Sequence, residues 1–111
     1  MEQHYLLTVA IGTGYDKEGN VLSQKRVNEA LDAFRLSVAS ATGGYTETAA
    51  KGGYVHQNGT LAQEPSAMFT LLVTNANAGE LVQRAVLRVK EALNQESVLV
   101  INQGAGFHQF V

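Results

Sequence analysis

Apolar positions recur along the chain with two periods, and their order predicts strand, helix, two strands, helix, strand. Tyr5 to Gly12 is a compact apolar run containing Val9 and Ile11, closed by Gly12-Thr13-Gly14, and it predicts a strand. Asp16 to Asn20 is turn material. Ser23 stands where a helix N-cap belongs, because its hydroxyl can accept from a backbone N–H that has no partner inside the helix. Val27, Leu31, Phe34 and Val38 follow at spacings of four, three and four, one apolar stripe on a helix that Gly43-Gly44 ends. Tyr45 to Lys51 alternates weakly and predicts an edge strand, which Gly52-Gly53 breaks or bulges. Asn58-Gly59, within Tyr54 to Leu61, predicts a type I′ turn. Pro65 precedes the clearest strand, Ala67 to Thr74. Asn77 with Glu80 three residues later predicts a capped helix start, and Val82, Val86, Val89 and Leu93 form the second stripe. Ser97 to Asn102 is the last core strand, and Phe107 to Val111 is a tail that adds a short strand or crosses to a partner.

Two split βαβ halves in this order are the ferredoxin-like pattern. The expected class is therefore α+β: βαββαβ with a four-stranded antiparallel sheet, two helices on one face, a possible extra C-terminal strand, and a single domain over residues 1–111. Met68, Phe69, Leu71, Leu72 and Val73 put apolar groups on both faces of one strand, and Val98 to Ile101 do the same. Helices cover only one face, so the other needs a cover of its own. A second copy of the chain is the expected cover, giving a homodimer or higher homo-oligomer. The alternative is the tail, with Phe107 and Phe110, folded back over that face.

The steps Gly44-Tyr45 and Gly53-Tyr54, then Gln63-Glu64-Pro65-Ser66, then Asn94 to Val100, resemble a group of small bacterial and phage proteins. That group has two G-aromatic turns, a REPS-like step into a strand and a closing GQESV-like strand. Here Gln63 stands where the group tends to have Arg, and Asn94 where Gly is common. The resemblance covers most of the chain in order. It implies a ferredoxin-like fold and brings no established activity with it.

Composition narrows the function classes. The 111 residues are 45% hydrophobic and 16% charged, a globular mixture. Eight Lys+Arg against ten Asp+Glu give a net charge of -2, which argues against a duplex nucleic-acid binder, whose affinity comes from neutralising phosphates. The absence of Cys excludes disulfides, thiolate nucleophiles and Cys-based metal sites. No apolar run approaches the roughly 20 residues of a membrane span, and the start lacks a basic-then-apolar leader. The expected location is cytoplasmic, the host cytoplasm if the chain is viral, with no membrane partner.

Four groups of residues offer chemistry, each with a plainer structural alternative. Gly12-Thr13-Gly14 does not open directly onto a helix, so it is no phosphate cradle, yet its loop holds Tyr15 and Lys17 and could act as a lid with a stacker and a cation. His4, His56 and His108 have no metal-ligand spacing, so no metal is expected. His56, near Tyr54 and Glu64, could form an acid–base couple with that glutamate, or a solvated cross-strand pair. Arg26, Lys51, Arg84 and Arg88 are most of the remaining cations, with Arg84 and Arg88 four apart on one helix face. They could grip phosphate or carboxylate, or be a solvated surface. Tyr15, Tyr45 and Tyr54 beside glycines offer flat stacking surfaces.

Two functions of different class follow. The first is a non-enzymatic oligomeric protein that captures a small anionic ligand, of nucleotide type, in pockets between subunits. Phage proteins that sequester signalling nucleotides share its size and composition. Its ligand-binding residues are Tyr15, Lys17, Arg26, Lys51, Tyr54, His56, Arg84 and Arg88, with no catalytic residue and no cofactor. The second is a small cofactor-free enzyme of the dimeric α+β barrel type, in which a His or Tyr moves protons.

Overall fold

The computed structural model describes residues 4–55, 57–103 and 107–110. The elements are β1 (Tyr5–Gly12), α1 (Gln24–Thr42), β2 (Thr46–Val55), β3 (Leu61–Val73), α2 (Ala76–Ala92), β4 (Leu99–Asn102) and β5 (Phe107–Phe110). The sheet order is β2-β3-β1-β4-β5, with every neighbouring pair antiparallel. Its first four strands and two helices are the ferredoxin-like arrangement, and β5 adds a fifth strand beside β4.

The local signals act as their chemistry requires. The Ser23 hydroxyl accepts the Arg26 N–H at 3.1 Å, and Gly43 ends α1 at φ +90°, its N–H on the Ala39 carbonyl. The stripes on α1 and α2 bury Val27, Leu31, Phe34, Val38, Val82, Val86 and Val89 against Val9, Ile11, Phe69, Leu71, Val73, Val98 and Val100. Phe34 meets Phe69 edge to face at 4.8 Å.

Five boundary expectations are corrected. Gly52-Gly53 neither breaks nor bulges β2, because its register with β3 runs unbroken from Thr46 opposite Thr70 to Val55 opposite Leu61. The tip of that hairpin is not a type I′ turn: of Asn58 and Gly59, only Gly59 takes a positive φ, +86°. Pro65 lies inside β3 rather than before it. The β1 ladder stops at Gly12 opposite Ser66, and from there Pro65 needs only its carbonyl, which accepts the Thr13 N–H at 2.9 Å. Asn75, not Asn77, caps α2, because its extended backbone lets Oδ1 accept the Ala78 N–H at 2.8 Å. β4 begins at Leu99, since the Gln95 N–H still closes the end of α2 on the Lys90 carbonyl.

The side of the sheet away from the helices stays open. Register places Leu6, Thr8 and Ala10 of β1, Met68, Thr70 and Leu72 of β3, and Leu99 and Ile101 of β4 together there, with Thr46, Thr48 and Ala50 of β2. None of these is charged, and Leu6 and Leu72 are 43% and 48% exposed. The tail does not fold across this face: β5 pairs along the edge of β4 and widens the sheet instead. Among the described residues no helix is long and apolar enough to cross a membrane.

One ion-pair cluster ties the helix layer to the sheet edge. Arg35 donates to both Glu47 carboxylate oxygens, at 2.7 and 2.8 Å, and to Asp32 at 2.8 Å. The Arg35 fork holds the Glu47 carboxyl below the usual glutamate range, and Arg35 itself is held more firmly protonated by Glu47. A depressed carboxyl stabilises the fold above its unfolded pKa, and that stabilisation is lost as pH falls through the folded value. Arg35→Ala is expected to cost about 1 kcal/mol at pH 7 and almost nothing at pH 2 to 3. Urea denaturation at the two pH values measures the difference.

Candidate functional site

The link from β1 to α1 folds back over the end of the sheet as an ordered loop. Asp16 organises it: its Oδ1 accepts the N–H groups of Glu18 and Asn20, both at 2.9 Å. The Asn20 backbone contact leads in holding the Asp16 carboxyl below its ordinary value. Tyr15 and Val21 bridge the loop, and the Leu22 N–H closes it on the Gly14 carbonyl at 2.9 Å. Thr13 fastens it to β3 through two donors on the Pro65 carbonyl, at 2.9 and 3.0 Å.

Beneath this loop lies Glu64, which among the described residues is the one buried charged side chain, 9% exposed. Two glycines make room for it. A Cβ on Gly12 would overlap the Glu64 carboxylate, and one on Gly14 would come within 2.8 Å of the Glu64 Cβ and 3.1 Å of the Pro65 ring. Burial pushes the Glu64 carboxyl up from its ordinary value, while the backbone N–H groups of Gly14 and Tyr15 pull it partly back. The net rise favours the protonated form in the fold, so ionisation of Glu64 removes stability as pH climbs through its titration.

Above Glu64 opens a cleft of about 610 Å³. One wall is the loop, with Tyr15 and Lys17. The facing wall is the hairpin, with Gly52, Gly53 and Tyr54. Gln95 and Ser97 close the end near β4. Four carboxylates border the space (Asp16, Glu18, Glu64 and Glu96) against one ammonium, Lys17. The cleft adjoins the open sheet face through Ala10, Ser66 and Leu99.

Of the residues singled out from the sequence, the structure brings Tyr15, Lys17 and Tyr54 together. Arg26 lies in the helix layer, with Nε on the Ala92 carbonyl at 2.9 Å. Arg84 is exposed and paired with Glu80 at 2.8 Å. Arg88 borders a separate groove between α1 and α2. Lys51 is exposed on β2, one residue out of phase with Gly52 and Tyr54, so it points to the helix side of the sheet. His56 lies outside the described residues. The sequence suggests a chemical role for Glu64 only as a partner for His56, and none for Gln95 or Ser97. The usable signal was a carboxylate beside the single proline, combined with two glycines bracketing the end of β1. Among the described residues no three His, Cys, Asp or Glu side chains are grouped to hold a metal ion.

No family model matches the sequence, and no curated protein matches it. Solved structures do. A phage SAM lyase in complex with S-methyl-5'-thioadenosine superimposes with a TM-score of 0.66 at 18% identity, over 98% of this chain and 87% of the lyase. The phage SAM lyase in its apo state gives 0.63 at 19% identity, over 95% and 83%. The divalent ion tolerance protein CutA1 from Ehrlichia chaffeensis gives 0.53 at 14% identity, over 92% and 80%. These likenesses carry the ferredoxin-like fold.

Proposed function

We propose that the cleft above Glu64 takes up the sulfonium nucleoside S-adenosylmethionine and that the chain cleaves it to S-methyl-5'-thioadenosine. The observation that carries this is the pairing of a buried, glycine-framed carboxylate with two tyrosines in an acid-rich cleft. The substrate carries a sulfonium and an α-ammonium at one end, only partly offset by its own α-carboxylate, and is flat and aromatic at the other. Carboxylates suit the first, and the Tyr15 and Tyr54 rings suit both, since an aromatic face attracts a cation as well as a base. About 610 Å³ is within the usual range for a small-molecule site. The phage lyase, alike over nearly the whole chain, supports the choice of substrate.

The chemistry asks little of the protein. The leaving group is a neutral thioether, which departs with the bonding electron pair and needs no proton. The substrate's own carboxylate closes on the γ-carbon to give a five-membered lactone, so no water, metal or cofactor is consumed. Glu64 and its neighbours orient the cationic end, and holding the ends in reach replaces a chemical catalyst. Cleavage discharges the sulfur, which removes the Coulombic hold on the product. Such a substrate is a cytoplasmic metabolite, in keeping with a cytoplasmic protein.

The assembly belongs to the same proposal. The part of the open face around Leu6, Met68 and Leu72 packs against a second copy, and because the cleft opens beside it, the neighbour closes its mouth. The first function expected from the sequence, capture of an anionic nucleotide-type ligand without turnover, draws on the same tyrosines, glycines and Lys17.

Calorimetry followed by product analysis separates the two. Expected are binding of both S-adenosylmethionine and S-methyl-5'-thioadenosine and conversion of the first into the second. Glu64→Gln is expected to slow conversion by about 100-fold, the scale of losing one preorganised electrostatic contact. Binding of cyclic nucleotides or ADP-ribose, with S-adenosylmethionine left intact, overturns the lyase in favour of capture.

A further inference from the structure

Two of the residues between α2 and β4, Asn94 and Gln95, form a clasp on a loop some eighty positions away. Asn94 adopts φ +50°, a left-handed conformation that asparagine tolerates better than most residues. In that conformation its carbonyl accepts the Lys17 N–H at 2.9 Å. Its side-chain amide donates to Asp16 at 3.4 Å and to Glu18. Gln95 reaches further in. Its Nε2 donates to the Tyr15 carbonyl at 2.8 Å and to the Leu93 carbonyl at 3.2 Å. Its Oε1 comes within 3.3 Å of where a Gly12 side chain would begin, which places the amide beside the Glu64 carboxylate.

We infer that Gln95 is a positioning residue, whose side-chain amide anchors the Tyr15 carbonyl, one Cα away from the Tyr15 N–H that faces Glu64, and so restrains the Tyr15 backbone and holds the Tyr15 ring over the cleft. The role requires this side chain. Two carbonyls need two N–H donors on one nitrogen, which glutamine supplies and its isostere glutamate does not. Without the latch the Tyr15 carbonyl turns to water, the Tyr15–Asp16 peptide rotates, and the Tyr15 N–H, tied to it through the shared Cα, drifts from Glu64, whose carboxylate loses a donor that favours its charged form. For the substrate, the inference rests on the proposed lyase reading; for the geometry, it stands apart from it.

The test uses Gln95→Met and Gln95→Glu in the full chain. Glu64 is titrated by carboxyl carbon NMR and the Tyr15 amide is followed by hydrogen exchange. The groups bordering Glu64 in the cleft are Asp16, Glu18, Glu96, Lys17, Tyr15 and Tyr54, none altered in either variant. Expected are a Glu64 midpoint raised by about half a pH unit or more in Gln95→Met, further in Gln95→Glu because of the added charge, and faster Tyr15 exchange in both. With S-adenosylmethionine, kcat falls about 10-fold and KM moves less, since orientation rather than attraction is lost. An unchanged Glu64 midpoint and Tyr15 exchange, with only Tm lowered, overturns the latch. A moved midpoint in a protein inert toward S-adenosylmethionine leaves the latch standing and overturns the lyase.

Discussion

Gly12→Ala is expected to remove S-adenosylmethionine cleavage by about 100-fold or more while leaving the fold in place. Gly12 has no positive φ, so its backbone accepts alanine. What does not accept it is Glu64, whose carboxylate occupies the space the new methyl needs. The carboxylate is the movable partner, because Cβ is fixed by the strand and the glutamate has three side-chain torsions. It swings out from under the loop, leaves the N–H groups of Gly14 and Tyr15, and re-enters water. Its pKa, raised by burial, then returns toward the ordinary glutamate value. The substitution also removes glycine's excess chain entropy, about 0.5–1 kcal/mol in favour of folding, which partly offsets the lost contacts. Tm is therefore expected to move by only a few degrees, in contrast to the rate. A cycle with Glu64→Gln isolates the cause: if alanine acts by displacing Glu64, the double variant is no slower than the slower single one. Full activity in Gly12→Ala removes Glu64 from the site.

The contrast between fold and site in the sequence has a physical basis. Helix stripes, the Ser23 cap and the Gly43 stop are local, and each acts through neighbours within four residues. The two-faced apolar strands are nearly as legible, because side-chain alternation alone assigns Met68 and Leu72 to one face and Phe69, Leu71 and Val73 to the other. Register is less so. Whether Gly52-Gly53 bulges depends on what lies opposite, and Glu64 and Gln63 accept both glycines without a skipped residue. The site is the least legible part. Cations drew attention because they are few, yet Arg26 and Arg84 are satisfied within the helix layer, and Arg88 borders the groove between the helices, away from the cleft. Glu64 looks like any surface glutamate until the β1–α1 loop is laid over it. That placement comes from contacts between residues 12–17 and residues 64–65 and 94–95, which no window of sequence contains.

Leu72→Lys is expected to separate the proposed assembly into folded single subunits. The side chain stands on the open face, 48% exposed in one subunit, so a lone copy accommodates a lysine there at little cost. In a packed assembly the same ammonium is trapped among Leu6, Ile101 and their counterparts, while Glu64, the acid that the register puts on that face, lies eight residues away along β3 beneath the loop. An unpaired charge so buried costs about 3–5 kcal/mol, a weakening of association by two to three orders of magnitude. Phe69→Ala provides the contrast, since Phe69 is fully buried between Phe34 and Tyr45 and its truncation costs about 3–5 kcal/mol of subunit folding. Light scattering at micromolar concentration and circular dichroism distinguish the two outcomes: Leu72→Lys lowers mass with unchanged spectra, and Phe69→Ala loses both. The chemistry should follow the mass. If a neighbouring copy closes the mouth of the cleft, the separated Leu72→Lys subunit binds S-methyl-5'-thioadenosine at least tenfold more weakly, although residue 72 lies well along β3 from Glu64. A wild-type chain that is already a monomer at these concentrations leaves the open face bare and confines recognition to the loop and hairpin of a single subunit.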